Sequence, residues 1–379
     1  MKYRTMGKLG IQASAFGLGC MRFNGAASGD SIIDEKKAIS LIRRAIDGGV
    51  TYLDTAYVYL DKTSEIVLGK ALQDGYREKV TIATKMPDGY VHNREEMEAL
   101  LESELTKLQT DHIDFYLMHG INRQKWEYFK SIGAPEFFND MKAAGKIRYK
   151  CFSFHGPYEE FEYILNDWDW DMVQIQYNFM DIENQAGTKG LELAGSKGIP
   201  VVIMEGLLGG RLSKAPDNVQ ALYDAFPVKR SPVEWAFRWL CNHTAVSVVL
   251  SGCNEQEQID ENLRIFDTVE PGIMSAEELQ LMDQVRAAYL SRTKIGCTGC
   301  RYCMPCPNGV NIPGIFSAWN NVSLYDTDPK NDFGLRQIRE KDNGADHCIA
   351  CGACEAACPQ HLDIISSLQT AWHELKMDE

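Results

Sequence analysis

The sequence predicts an α/β chain in which a closed (β/α)8 TIM barrel precedes a small, helical, cysteine-rich module. Three observations predict it. Eight short apolar runs recur over residues 1–290, each followed by a stretch with helical periodicity. The runs are apolar enough to be buried on both faces, as parallel strands covered by helices are. Eight of the 12 cysteines then crowd the last quarter of the chain.

Taken in order, "YRTMGKLGIQAS" reads as a hairpin plugging the base of the barrel. The strands follow as "ASAFGLGC", "VTYLDTA", "VTIATK", "IDFYLMH", "IRYKCFSF", "MVQIQYN", "PVVIME" and "AVSVVLSG". Amphipathic stretches such as "KKAISLIRRAIDGG" and "REEMEALLESELTKL" alternate with them. Eight units are the number that closes a barrel. An open doubly wound sheet is the competitor, but no G-x-G-x-x-G follows the first strand. "EELQLMDQVRAAYL" (277–290) is an added helix, so the expected division is 1–290 for the barrel and 291–379 for the module.

The 379 residues are 45% hydrophobic and 24% charged, ordinary for a globular chain with a sizeable core. A net charge of -14 without any Lys/Arg cluster argues against nucleic acid or an anionic membrane as partner. "MKYRTMGKLGIQ" lacks the apolar core of a signal peptide, and no run approaches a membrane span, so a cytoplasmic location is expected.

Cys20, Cys151, Cys241 and Cys253 are scattered, whereas "CTGCRYCMPCP" (297–307) and "CIACGACEAACP" (348–359) each hold four thiols. The second is C-x-x-C-x-x-C-x-x-x-C-P, the spacing in which three thiolates hold one cubane and the fourth reaches another. Two zinc sites of four cysteines each are the alternative; duplicated C-x-x-C steps closed by Cys-Pro favour two [4Fe-4S] clusters. With crossed fourth ligands, Cys297, Cys300, Cys303 and Cys358 hold one cluster, and Cys348, Cys351, Cys354 and Cys306 the other. Between the groups, Pro313 can open a helix in "NGVNIPGIFSAWNNVSLYD" and "DFGLRQIREK" reads as another; the module resembles the α-helical ferredoxin type, which implies one-electron transfer.

In a barrel of this kind, polar residues at the C-terminal strand ends meet substrate. Asp54, Tyr59, Lys85 and His119 stand there. Singly they read as a helix cap, a rim phenol, a surface charge and a packed ring. Together they form a proton-transfer device: a phenol near pKa 10 is too weak an acid at neutral pH, and an adjacent ammonium lowers it. Asp54 would hold Lys85 charged, and His119 would hydrogen-bond the carbonyl oxygen.

These four residues, with "LQTDHIDFYLMH" and "TSEIVLGKAL", resemble the aldo-keto reductase family over roughly residues 1–290, and the tail resembles its ferredoxin-fused branch. The resemblance implies hydride transfer between a nicotinamide and an aldehyde or ketone, with Tyr59 as general acid in reduction and general base in alcohol oxidation. It also implies that Ser153 and Gln174 hold the nicotinamide carboxamide, that Met204 sits where an aromatic commonly stacks, and that Gln258, Glu261 and Asn262 meet the adenosine end. Phe154 replaces the family's usual Asn.

The loops after strands seven and eight, "EGLLGGR" (205–211) and "SGCNEQEQIDEN" (251–262), read either as ordinary turns and caps or as phosphate cradles. The cradle reading names Gly206, Leu207, Gly210 and Arg211 in the first loop and Ser251 and Gly252 in the second. Gly252 and Gln258 stand where NADP-preferring members place Lys and Arg, which favours NAD over NADP. His155, in "FSFHG", is either a pocket contact or a packed ring.

A nicotinamide gives two electrons together and a cluster passes one, so a flavin usually stands between them; no flavin signature is visible. The first expectation is a nicotinamide-dependent carbonyl reductase or alcohol dehydrogenase whose clusters transfer electrons or dock a redox-partner protein. The alternatives are a ferredoxin-linked oxidoreductase fed by its clusters and an electron-transfer protein with a non-catalytic barrel. The pocket loops carry no directional set of charges that would name the substrate.

Overall fold

The computed structural model describes residues 1–23 and 33–376. Two short strands, β1 (Tyr3–Thr5) and β2 (Gln12–Ser14), pair antiparallel. Eight more form a closed barrel: β3 (Phe16–Gly19), β4 (Tyr52–Asp54), β5 (Thr81–Met86), β6 (Ile113–Ile121), β7 (Ile147–Phe154), β8 (Met172–Gln176), β9 (Val201–Met204) and β10 (Val246–Ser251). Neighbours follow chain order, all pairs are parallel, and β10 closes on β3 through Val249 opposite Phe16. All eight apolar runs are barrel strands.

Alternation along each strand sends one set of side chains inward and the other against the helices. Tyr52, Phe115, Leu117, Met172, Val202 and Val248 fill the interior. Met6 and Ala13 of the β1–β2 hairpin belong to the same cluster, so the hairpin closes the base, as its sequence predicts. Space inside is short. A Cβ at Gly17 of β3 would stand 2.7 Å from both Leu250 and Val248, so this position takes glycine to let the strands close.

The helices cover the outer face with one apolar stripe each. Glu35–Asp47 starts where Asp34 accepts from the Lys37 N–H (3.1 Å) and buries Ala38, Leu41, Ile42, Ala45 and Ile46. Arg94–Leu108 starts at Asn93, which accepts from the Glu96 N–H (2.9 Å), and buries Met97, Leu100, Leu101, Leu105 and Leu108.

The chain divides into two compact units, 1–209 with 233–276, and 210–232 with 277–379. The second unit is helical. Its core gathers Ile315, Phe316 and Trp319 of Ile312–Tyr325, Leu335 and Ile338 of Phe333–Glu340, and Leu368 of Ile364–Glu374, with six cysteines packed against it. Pro313 lies in the first turn of Ile312–Tyr325, capped by Asn311. Residues 210–232 join this unit through their own contacts: the Asn218 amide donates to the Ala288 carbonyl (3.1 Å), and Arg292 donates back to Asn218 (3.2 Å).

Candidate active site and thiol cavities

Four strand ends converge at the mouth of the barrel. Lys85, at the end of β5 and 1% exposed, donates to Asp54 Oδ1 (2.6 Å), to the Thr55 carbonyl (2.7 Å) and to the Tyr59 hydroxyl (3.2 Å). Three acceptors use all three protons of the ammonium, so its position is set. Asp54 Oδ2 accepts from Gln174 Nε2 (3.2 Å), which ties β8 into the same network. The His119 ring stands edge-on to Tyr59, centroids 5.9 Å apart at 78°. The residues predicted as a catalytic set are therefore together.

Their electrostatics follow from burial. Desolvation alone would discharge Lys85, but the Asp54 carboxylate and the Tyr59 oxygen outweigh it, so the amine is held more firmly protonated than usual. Removing one partner of such a buried pair costs about 3–5 kcal/mol, which is why Asp54 and Lys85 depend on each other. His119 is pushed down to about 3, by burial first and then by the charges of Lys85, Lys125 and His155, so its ring is neutral at physiological pH.

Tyr59 departs from the expectation. The Lys85 ammonium lowers its pKa, as the sequence predicts, but burial, with Asp54 and Glu205, outweighs that pull and the net shift is upward. In this state the phenol is held protonated, an acid rather than a base. Immediately after it, Leu60, Asp61 and Lys62 adopt left-handed φ values of 51°, 51° and 69°. Each costs roughly 1–2 kcal/mol in a residue with a Cβ, strain of the kind found where a loop must present one group.

The side chains predicted to hold the dinucleotide fall into three sets. Ser153 Oγ on β7 accepts from the Gly120 N–H (2.7 Å) and keeps its own proton to donate. Gln174 Oε1 is buried without a hydrogen-bond partner, an acceptor that a carboxamide NH2 would satisfy. Met204 ends β9, half-buried, with Gly206 and Leu207 just beyond it. The dinucleotide thus fits the residues present.

In the second set, the Ser251 hydroxyl accepts from Asn262 (3.1 Å), and Asn262 also reaches Cys253 Sγ (3.2 Å). Gln258 is engaged in a capping box with Glu255 at the start of Gln256–Phe266, and Glu261 lies on the same helix. Gly210 and Arg211 form the third set and belong to the other compact unit, where Arg211 faces the buried Asp332 (3.4 Å).

Sequence reasoning missed Arg22 and Glu205. Arg22 follows β3, lays its stem where a Cβ on Gly252 would stand only 2.7 Å from Cγ, and places its guanidinium 3.9 Å from Glu205 Oε1. The acidic strand-eight loop therefore does have a cation beside it. Its signal was its place just past a strand end, the criterion that found Asp54.

The eight clustered thiols line two cavities in the second unit. One is lined by Cys306, Cys348, Cys351 and Cys354, the other by Cys297, Cys300 and Cys358; Cys303 and Ile312 face both. The Cys303 thiol is pushed up by burial and by Cys297, Cys300 and Cys358 around it. Sulfurs about 2.3 Å from a tetrahedral zinc stand under 4 Å apart. Among the described residues no three cysteine sulfurs lie within 4.8 Å of one another.

Residues 15–286 match the aldo/keto reductase family, and residues 296–363 match a 4Fe-4S dicluster domain. The uncharacterized oxidoreductase YqkF of Bacillus subtilis is 26% identical over 294 residues, covering 70% of this chain and 90% of that protein. Aldo-keto reductase YhdN of the same organism is 38% identical over 127 residues, 31% of this chain and 38% of its own length. Among solved structures, the holo form of aldo-keto reductase AKR11C1 from Bacillus halodurans superposes with a TM-score of 0.63 at 26% identity, covering 75% of this chain and 96% of that one. An aldo-keto reductase from Klebsiella pneumoniae in complex with NADPH shares the fold, with a TM-score of 0.60 at 23% identity over 76% of this chain and 95% of its own. No described helix is long and apolar enough to cross a membrane. With the barrel, the strand-end network and the paired thiol cavities in place, the chain belongs to the aldo/keto reductase family, an oxidoreductase of that type carrying a C-terminal 4Fe-4S dicluster domain.

Proposed function

We propose that this protein reduces an aldehyde or ketone, or oxidises the corresponding alcohol, with a nicotinamide dinucleotide, and that Tyr59 transfers the proton. The observation that carries this is the Lys85 ammonium, 3.2 Å from the Tyr59 hydroxyl and 2.6 Å from Asp54. When bound, the dinucleotide supplies or takes the hydride. Tyr59 gives its proton to the carbonyl oxygen, and Lys85 stabilises the phenolate left behind. His119, neutral, hydrogen-bonds the same oxygen and aims it at the phenol. Ser153 and the unpaired Gln174 oxygen orient the carboxamide. The acidic stretch Glu255–Glu261 favours NAD, which lacks the 2'-phosphate, and Arg22 beside Gly252 is the cation that NADP would need to recruit.

The two thiol sets would each hold a [4Fe-4S] cluster with crossed fourth ligands, Cys306 in one and Cys358 in the other, supplying one-electron transfer and a docking point for a redox-partner protein. A second reading has the clusters feeding electrons to the barrel; the shared wall at Cys303 sets the two thiol cavities side by side, as passage of an electron from one cluster to the other requires. An anaerobic titration separates them. If NADH with a carbonyl turns over while the cluster absorbance stays constant, the barrel works alone. Bleaching by NADH that substrate reverses would favour the second reading, and no dinucleotide oxidation with any carbonyl would overturn the first.

The pH dependence has a definite sign. Reduction needs protonated Tyr59, whose pKa lies above the ordinary 10, so kcat/KM for reduction stays flat through neutrality and falls only in strong alkali. Oxidation needs the phenolate and rises about tenfold per pH unit over the same range. His119, ionising near 3, adds no step between about pH 5 and 9. Rate profiles in both directions check this; a reduction limb that falls below pH 8 would contradict the assignment.

A further inference from the structure

His155 lies just past the end of β7 and is not needed for proton transfer. Its ring stands over the turn that carries His119: a Cβ at Gly120 would lie 3.7 Å from Cδ2, the ring carbon bonded to Nε2. Its charge is felt by His119, and it feels those of Glu205, Lys125 and Lys85, so it shares the mouth with the proton-transfer set.

A chain of hydrogen bonds decides which ring nitrogen carries the proton. The Asp181 carboxylate can only accept, and it takes the Gln176 Nε2 proton (2.9 Å). Gln176 therefore turns its oxygen to Gln185, whose Nε2 donates to it (2.9 Å). That leaves the Gln185 oxygen facing His155 Nδ1 (3.2 Å), which must donate. Reversing either amide would set oxygen against oxygen, so the order is fixed from Asp181 outward. Gln185 holds this place with a left-handed φ of 55°, a conformation kept at some cost. With the proton on Nδ1, Nε2 is a lone pair, and among the described residues it has no donor.

We infer that His155 is a specificity-determining residue whose Nε2 accepts a hydrogen bond from a substrate hydroxyl next to the carbonyl, so that the preferred substrates are α-hydroxy aldehydes and ketones. Two histidines then divide the work: His119 donates to the carbonyl oxygen and His155 accepts from the neighbouring hydroxyl. Gln185 acts as a positioning residue. The inference rests on the carbonyl-reductase reading above.

The test compares hydroxyacetone with butanone, which differ by a hydroxyl in place of a methyl group. The ratio of their kcat/KM values is measured in the wild type, His155→Phe, His155→Gln and Gln185→Leu; taking ratios between variants cancels the intrinsic reactivity of the two ketones. His155→Phe should collapse the ratio about tenfold or more, with the loss falling on hydroxyacetone, because a site left without its polar partner discriminates poorly. Gln185→Leu should lower it in part, and His155→Gln, which restores an acceptor, should recover some of it. An unchanged ratio in His155→Phe, or equal losses on both ketones, overturns the inference while the carbonyl-reductase reading stands. Failure of the wild type to reduce either ketone, or any other carbonyl, overturns that reading and this inference with it.

Discussion

Tyr59→Phe lowers kcat for carbonyl reduction by about 10²–10⁴-fold while the barrel stays folded and the dinucleotide still binds. The expected size follows from the geometry. The lost hydroxyl is one of three acceptors of Lys85, and Asp54 and the Thr55 carbonyl remain to hold the ammonium, so the network survives without the phenol. What disappears is the proton that is transferred; His119 still hydrogen-bonds the carbonyl oxygen but does not give its proton up. Lys85 does not replace Tyr59, because the Asp54 carboxylate beside it holds the ammonium more firmly protonated than usual, a poorer acid than the phenol it supports. Steady-state dinucleotide oxidation gives the rate, fluorescence titration the dinucleotide Kd, and a urea midpoint the fold. Turnover within a few-fold of wild type would remove Tyr59 from the mechanism.

The second large effect concerns the thiols. Two [4Fe-4S] clusters give about eight irons per chain, and replacing one ligand by serine should leave about four. Double variants then report the wiring. If the fourth ligands cross, Cys306→Ser with Cys351→Ser strikes one cluster twice and leaves about four irons, whereas Cys306→Ser with Cys300→Ser strikes both and leaves almost none. Local wiring reverses the two results. The cavity linings favour the crossed pattern, since Cys306 lies with Cys348, Cys351 and Cys354, and Cys358 with Cys297 and Cys300. Iron and sulfide analysis of anaerobically purified variants decides it, and colourless, zinc-rich protein would overturn the cluster assignment itself.

Much of this was legible in the residues. Each barrel strand announces itself as an apolar run, because a strand buried on both faces leaves its mark on every position. Asp54, Lys85 and His119 were found because the ends of such runs are where a barrel exposes polar groups. The sign of the Tyr59 shift was not legible: an ammonium nearby is implied by residue types, but the depth at which the pair is buried is set by the whole barrel, and burial is the larger effect here. Arg22 escaped because its partner Glu205 is nearly two hundred residues away in sequence. The commitment of 210–232 to the second unit escaped for a related reason. Helical periodicity in Asp217–Ala225 shows that the helix has an apolar face, and says nothing of which core that face meets.

That last feature bears on how the chain can be taken apart. The polypeptide leaves the first compact unit at Gly210, returns to it at Val233, and leaves again at Glu277. A single cut near residue 290 would strand Asn218 without Arg292 and Arg211 without Asp332, exposing a surface meant to be covered. The iron-binding segment is accordingly less an appendage than a unit woven from two stretches of chain, and gene fusions or truncations that treat it as a tail will leave residues 210–232 behind.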